Sequence, residues 1–107
     1  MIKISLSAEA ERDLEQIKEY ISVELGNPTA ANRVLAKITK RISELSVFPE
    51  LGAELGAIMP FPSDYRFLVC ENYLAFYLYE QNMILVDRVL YGKRNWISIL
   101  FDELIEE

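Results

Sequence analysis

The stretch from Tyr65 to Tyr91 constrains this chain most, because it holds three apolar and aromatic runs parted by only two or three polar residues. The runs are Tyr65 to Cys70, Tyr73 to Tyr79 and Met83 to Tyr91, rich in residue types that suit a pleated strand. Glu71-Asn72 and Glu80-Gln81-Asn82 have hairpin length, so the runs predict an antiparallel meander. If Cys70 faces Tyr73 across a two-residue turn, Arg66 stands opposite Tyr77, and cross-strand partners share a face. One face then carries Arg66, Leu68, Tyr73, Ala75, Tyr77 and Tyr79, and the other Tyr65, Phe67, Val69, Leu74, Phe76 and Leu78. The second, more apolar set is expected under a helical layer, and the first, mixed and phenolic, is expected to meet a partner. The register of the third run is open, since one extra loop residue would exchange the faces of Asp87 and Arg88.

Upstream, Ile2 to Leu6 alternates like a short strand, and Ser7 suits the cap of a helix with Glu9 and Glu11 in its first turn. Leu14, Ile17, Ile21 and Leu25 recur at helical steps, predicting a helix from Ala8 to Leu25 with Gly26 just past its end. Asn27-Pro28 fits the cap and first position of a second helix, whose stripe is Ala31, Val34, Leu35, Ile38, Ile42 and Leu45. The short junction between them predicts an antiparallel helical hairpin. Phe48 to Asp64, punctuated by glycine and proline, reads as a surface loop with one helical turn. Trp96, Ile97, Leu100, Phe101 and Leu104 predict an apolar face on a C-terminal helix. The expected class is therefore α+β, with a strand, a helical hairpin on an antiparallel meander and a short closing helix. At 107 residues, a single domain spanning 1–107 is expected.

Charge narrows the function. The net charge is −6, whereas a chain that grips phosphates usually carries a basic surplus. Acids crowd the first helix (Glu9, Glu11, Asp13, Glu15, Glu19, Glu24) and the tail, while bases gather at Arg33 to Arg41 and again at Arg66, Arg88, Lys93 and Arg94. Histidine is absent, which removes the usual neutral-pH acid and base. No metal-ligand spacing or phosphate-cradling glycine loop occurs, so neither metal nor cofactor is expected. The lone Cys70 gives no internal disulfide, and no apolar run approaches the roughly 18 to 20 residues of a membrane span, so a cytoplasmic location without membrane contact is expected.

The order of these elements resembles the RelE/ParE superfamily of bacterial toxins, and particular residues sharpen the likeness. Ser7 with Ala10 to Ile21 looks like the family's first-helix signature, and Phe48-Pro49-x-x-Gly52 like its loop after the second helix. Tyr65 to Val69 and Asn72 to Tyr77 look like its central strands, and Arg88 to Trp96 like its closing motif. The resemblance implies the toxin of a type II toxin-antitoxin system, of the plasmid-stabilisation kind, that inhibits growth until a cognate antitoxin binds it. ParE-like members bind DNA gyrase. RelE-like members cut mRNA on the ribosome, the 2′-hydroxyl attacking the adjacent phosphate. A degenerate relative that only binds its antitoxin is a third possibility.

For the nuclease, the resemblance places Arg66 and Arg94, with Lys93, at the reacting phosphate, where fixed cations stabilise developing charge. Three departures oppose this chemistry. Leu68 stands where a second lysine is expected, Leu74 replaces the arginine of the Tyr-Arg pair, and Leu100-Phe101 occupy the region of a catalytic tyrosine. Tyr91 also stands where many relatives carry histidine, and a phenol is a poor base at neutral pH. The binding reading, slightly preferred, uses Tyr73, Tyr77, Tyr91, Arg88 and Trp96. Each has a structural alternative. The tyrosines suit cross-strand packing, Arg88 suits an ion pair with Asp87 or a helix glutamate, Arg66 suits pairing with an acid, and Trp96 suits a core plug. An antitoxin segment is expected on the sheet edge or the helical hairpin, with Trp96, Leu100 and Leu104 involved.

Overall fold

Local chemistry at Ser7 sets the first helix and ties it to the far end of the chain. Its hydroxyl oxygen accepts the Ala10 N–H (2.9 Å) and donates to the Asp87 carbonyl (2.6 Å). The computed structural model describes residues 2–101. Strand β1 (Lys3–Leu6) leads into α1 (Ala8–Glu19), which continues as a π turn over Tyr20–Glu24. Gly26, with φ +66°, ends this segment, and the Asn27 side chain caps α2 (Pro28–Ser43). The remaining elements are β2 (Ala53–Glu54), β3 (Arg66–Cys70), β4 (Tyr73–Glu80), β5 (Met83–Tyr91) and α3 (Trp96–Leu100).

The five strands lie in the order β1-β5-β4-β3-β2. Strands β3, β4 and β5 form the expected antiparallel meander, with Arg66 opposite Tyr77 and Cys70 opposite Tyr73, while β1 runs parallel to β5. The second hairpin turns on Gln81 and Asn82 alone, both at positive φ, so Glu80 is the last residue of β4 rather than part of the loop. That settles the open register: Tyr79 faces Ile84 and Tyr77 faces Val86. Beyond them Phe76 pairs with Arg88, leaving Asp87 as the extra residue of a β-bulge.

Both faces of the sheet are covered. Leu14, Ile17 and Ile21 of the first helical segment and Ala31, Ile38 and Ile42 of α2 pack on Leu68, Cys70, Ala75, Tyr77, Ile84, Val86 and Val89. On the opposite face Leu55, Phe76, Leu90 and Phe101 form a second cluster, with Phe67, Tyr65 and Trp96 against it. Each fully buried Leu, Ile, Val or Phe side chain among them contributes roughly 1.5–3 kcal/mol relative to leaving it exposed.

Three expectations are corrected. The helical hairpin sits on the face of Leu68, Cys70, Ala75 and Tyr77, not on the more apolar face of Phe67, Leu74 and Phe76. The small Ala75 and Cys70 let the helices approach closely, and the more apolar face is needed because α3 and the Leu55 segment cover it. Leu25 is exposed rather than part of the buried stripe: the Leu25 N–H reaches the Tyr20 carbonyl, five residues back, so the 3.6-residue period fails there. The segment from Phe48 to Asp64 is more than a surface loop. Besides the expected helical turn, a 3₁₀ turn over Leu55–Ala57, it contributes β2 and the fully buried Leu55. The expected roles of Leu104 and the acidic tail lie outside the described residues.

Candidate functional site

Asp13 is the buried acid of the core, 5% exposed, and it sits on the apolar stripe between Ala10 and Ile17. Its carboxylate accepts Arg88 Nε (2.8 Å), Arg88 Nη2 (2.9 Å) and the Val89 N–H just past the bulge (2.9 Å). A bidentate guanidinium plus a backbone donor satisfies this charge away from water. The Asp13 hydrogen bonds hold the Arg88 pKa above its ordinary value, against the opposing effect of burial. Arg88 is thus an internal pin between α1 and β5. The partner is Asp13, neither the neighbouring Asp87 nor a glutamate. Asp87 instead accepts a hydrogen bond from the Tyr65 hydroxyl on the opposite face.

Arg66 is also spent inside the fold. Its Nη1 donates to the Gly52 carbonyl (2.7 Å) and its Nη2 lies 3.3 Å from the Glu54 carboxylate. Tyr77, fully buried, donates its hydroxyl proton to the Pro49 carbonyl (2.8 Å) and accepts the Gly52 N–H (2.9 Å). Burial raises the Tyr77 pKa, partly offset by the Gly52 hydrogen bond. A Cβ on Gly52 would meet the Phe67 carbonyl oxygen at 2.7 Å and the Tyr77 ring at 2.8 Å, which is why only glycine fits. Together Arg66, Tyr77 and Gly52 latch the Pro49–Glu54 strap onto the sheet.

The other end of the same strands stays open. Tyr73 and Tyr91, paired across β4 and β5, meet edge to face with ring centroids 5.7 Å apart. They line a cleft of about 690 Å³ whose further walls include Ile17, Tyr20, Ile21, Val34, Glu71 and Arg94. Burial raises the Tyr73 pKa, and the phenols of Tyr91 and Tyr20 add to the shift. Tyr20 is 54% and Tyr91 40% exposed, so the cleft opens to solvent. Arg94 has no ion-pair partner among the described residues. Arg66, opposite Tyr77, lies four β4 positions from Tyr73, roughly 13 Å along the strand.

The expected site residues therefore divide. Tyr73, Tyr91 and Arg94 come together at the cleft, and Lys93 is exposed beside Arg94. Arg66, Tyr77 and Arg88 are engaged internally. Trp96 packs on Phe76, with centroids 5.2 Å apart, on the opposite face of the sheet. Tyr20 and Glu71 were not singled out from the sequence, although Tyr20 follows Ile17 by three residues and so shares a side of the helix with it. Asp13 carried a signal too, as an acid set into an apolar stripe. Among the described residues no three His, Cys, Asp or Glu side chains converge as a metal site would need.

This arrangement carries a family's mark as well as a geometry. Residues 4–96 match the family described as the ParE toxin of the type II toxin-antitoxin system parDE. The chain belongs to that toxin family. No curated protein matches it. A solved structure titled as the chromosomal ParDE TA system from P. aeruginosa has a chain similar to this toxin. The TM-score is 0.72 and the identity 21%, over 87% of this chain and 98% of the other. At that identity the likeness concerns the fold, which it shares. Among the described residues of the toxin, no helix is long and apolar enough to cross a membrane.

Proposed function

We propose that this toxin acts by binding, as a ParE-like inhibitor of DNA gyrase, and that the open cleft of Tyr73, Tyr91 and Arg94 is its working surface. The observation that carries this reading is the fate of the two arginines. Phosphoryl transfer needs cations converging on one phosphate, with an acid and a base in reach. Here Arg66 serves the strap at one end of the sheet, leaving Arg94 and its neighbour Lys93 at the other. The Tyr73 phenol, its pKa raised by burial, is a weaker acid than an exposed one and stays protonated at neutral pH. The Leu68 and Leu74 positions, which a nuclease would fill with cations, are buried and half-buried apolar packing. Such a surface suits recognition: rings, apolar walls and a few fixed charges.

Growth inhibition would follow from occupying gyrase, and the antitoxin would relieve it by covering toxin surface. The cytoplasm, where gyrase works, is the location this reading requires. Purified toxin added to gyrase should block supercoiling in proportion to its concentration, and Arg94→Ala should weaken the block at least tenfold. Full supercoiling at a large excess of folded toxin would remove the gyrase reading. Cleaved transcripts when the toxin is added to translating ribosomes would replace it with the nuclease.

A further inference from the structure

The cleft gathers three phenols, Tyr20, Tyr73 and Tyr91, around one opening, a grouping that the resemblance to known toxins did not bring out. Ring faces carry negative electrostatic potential and attract a cation placed within about 6 Å, and a guanidinium stacks on them as well. Glu71, from the turn between β3 and β4, stands at the same opening without an ion-pair partner among the described residues. Leu25, 59% exposed, extends the lining just past the π turn, with the exposed Glu19 and Glu24 close by in the chain. Asp13 on the floor adds no free charge, because Arg88 neutralises it. Among the described residues Arg94 is the one cation lining the cleft, and the chain as a whole carries −6.

These features select an occupant. A phosphate or nucleic acid would meet a single lining guanidinium beside a carboxylate on an acidic body, a poor match. A wholly apolar segment would leave Glu71 and the phenol faces unused. We propose that the cleft is an aromatic cage for a cationic side chain, an arginine or lysine, presented by an amphipathic segment of a protein partner whose apolar residues cover Leu25 and the apolar walls at Ile21 and Val34. The inference rests on the binding reading above, since it names the chemistry of the partner at that same cleft. Cation and cage meet toward Glu71, while Arg94, just past β5 at the same end of the strands, donates to a partner carboxylate.

The test uses the folded toxin and three helical peptides, each with leucines on one side and differing only at a central position: arginine, glutamine or glutamate. Binding is followed by NMR shifts of the Tyr73 and Tyr91 rings, with Trp96 on the opposite face as internal control. The arginine peptide should bind about three- to thirtyfold more tightly than the glutamine one, the range expected of a partly desolvated cation on aromatic rings. Tyr73→Leu and Glu71→Gln should each erase most of that preference. Equal affinity for all three peptides, tighter binding of the glutamate peptide through Arg94, or no binding at all would overturn the cage. Growth arrest on expressing the toxin alone, and supercoiling inhibition in vitro, are scored in parallel. A toxin that arrests growth and blocks gyrase without preferring arginine sinks the cage alone. A toxin that prefers arginine but leaves gyrase untouched sinks the gyrase reading alone.

Discussion

The two ends of the β3–β4–β5 meander carry the same kinds of side chain and use them in opposite ways. At one end an arginine and a tyrosine, Arg66 and Tyr77, turn inward to hold the Pro49–Glu54 strap. At the other, Arg94 and the Tyr73–Tyr91 pair line a cleft open to solvent. The difference is one of partners. Backbone carbonyls from the strap are within reach of Arg66 and Tyr77, so their donors are satisfied within the fold. Among the described residues no chain segment closes the cleft at Tyr73 and Tyr91, and Tyr91 stays open to solvent. A residue type alone therefore does not mark a functional site; whether its hydrogen-bonding capacity is already consumed does.

The largest expected effect comes from the pin between these ends. Asp13→Ala strands the Arg88 guanidinium and the Val89 N–H, and should cost about 3–5 kcal/mol in urea unfolding, enough to blur both ends at once. Next comes the strap. Gly52→Ala forces its Cβ against backbone and the Tyr77 ring and should cost about 1–3 kcal/mol. Tyr77→Phe, which leaves the Gly52 N–H without an acceptor, should cost about 1–3 kcal/mol, with gyrase inhibition retained once the protein is folded. The comparison is sharpest between the arginines. Arg66→Ala should lower stability by about 1 kcal/mol or more and leave inhibition intact. Arg94→Ala should change stability by less than about 0.5 kcal/mol and weaken inhibition at least tenfold. Reversed outcomes would mean the working surface is the strap.

A smaller, graded effect is expected with pH. Burial pushes the Cys70 thiol up to about 12 from 9.0, and burial likewise raises the Tyr73 and Tyr77 phenols. The folded state thus holds these protons more tightly than the unfolded chain. Their contribution is fully present below about pH 9 and is lost as pH climbs toward 12, because the unfolded chain ionises first. Unfolding midpoints should stay level up to about pH 9 and fall from there to pH 11, and Cys70 should resist thiol reagents at pH 8 until the protein unfolds.

Much of this was legible in the sequence, because it depended on local rules. The Ser7 and Asn27 caps, the two-residue turn at Glu71-Asn72 and the pairing of Arg66 with Tyr77 follow from short-range chemistry and strand periodicity. The likeness of the closing motif placed Arg94 and Tyr91 among the candidates. What could not be read was long-range. Which face the helices choose depends on how closely they can approach Ala75 and Cys70, and on whether α3 returns to cover Phe76. Arg66 could be read as a site cation or as the partner of an acid; the structure gives it Glu54, and its further partners are backbone carbonyls from residues 50 and 52, acceptors that leave no compositional trace. Tyr20 joined the cleft unannounced because its spacing from Ile17 gives its side of the helix but not which strand end that side meets.

The extra residue at Asp87 acts as a phase shift in the last strand. Before it, Ile84 and Val86 look toward the helices; after it, Val89 and Tyr91 do. Were Asp87 paired regularly with Phe76 instead of bulged out, Leu90 would stand opposite Tyr73 in the place of Tyr91 and the phenol would turn to the far side of the sheet, closing the cleft without a change to any residue that lines it. The geometry of the open end is thus written some four residues upstream, in the spacing of a strand rather than in the identity of its side chains.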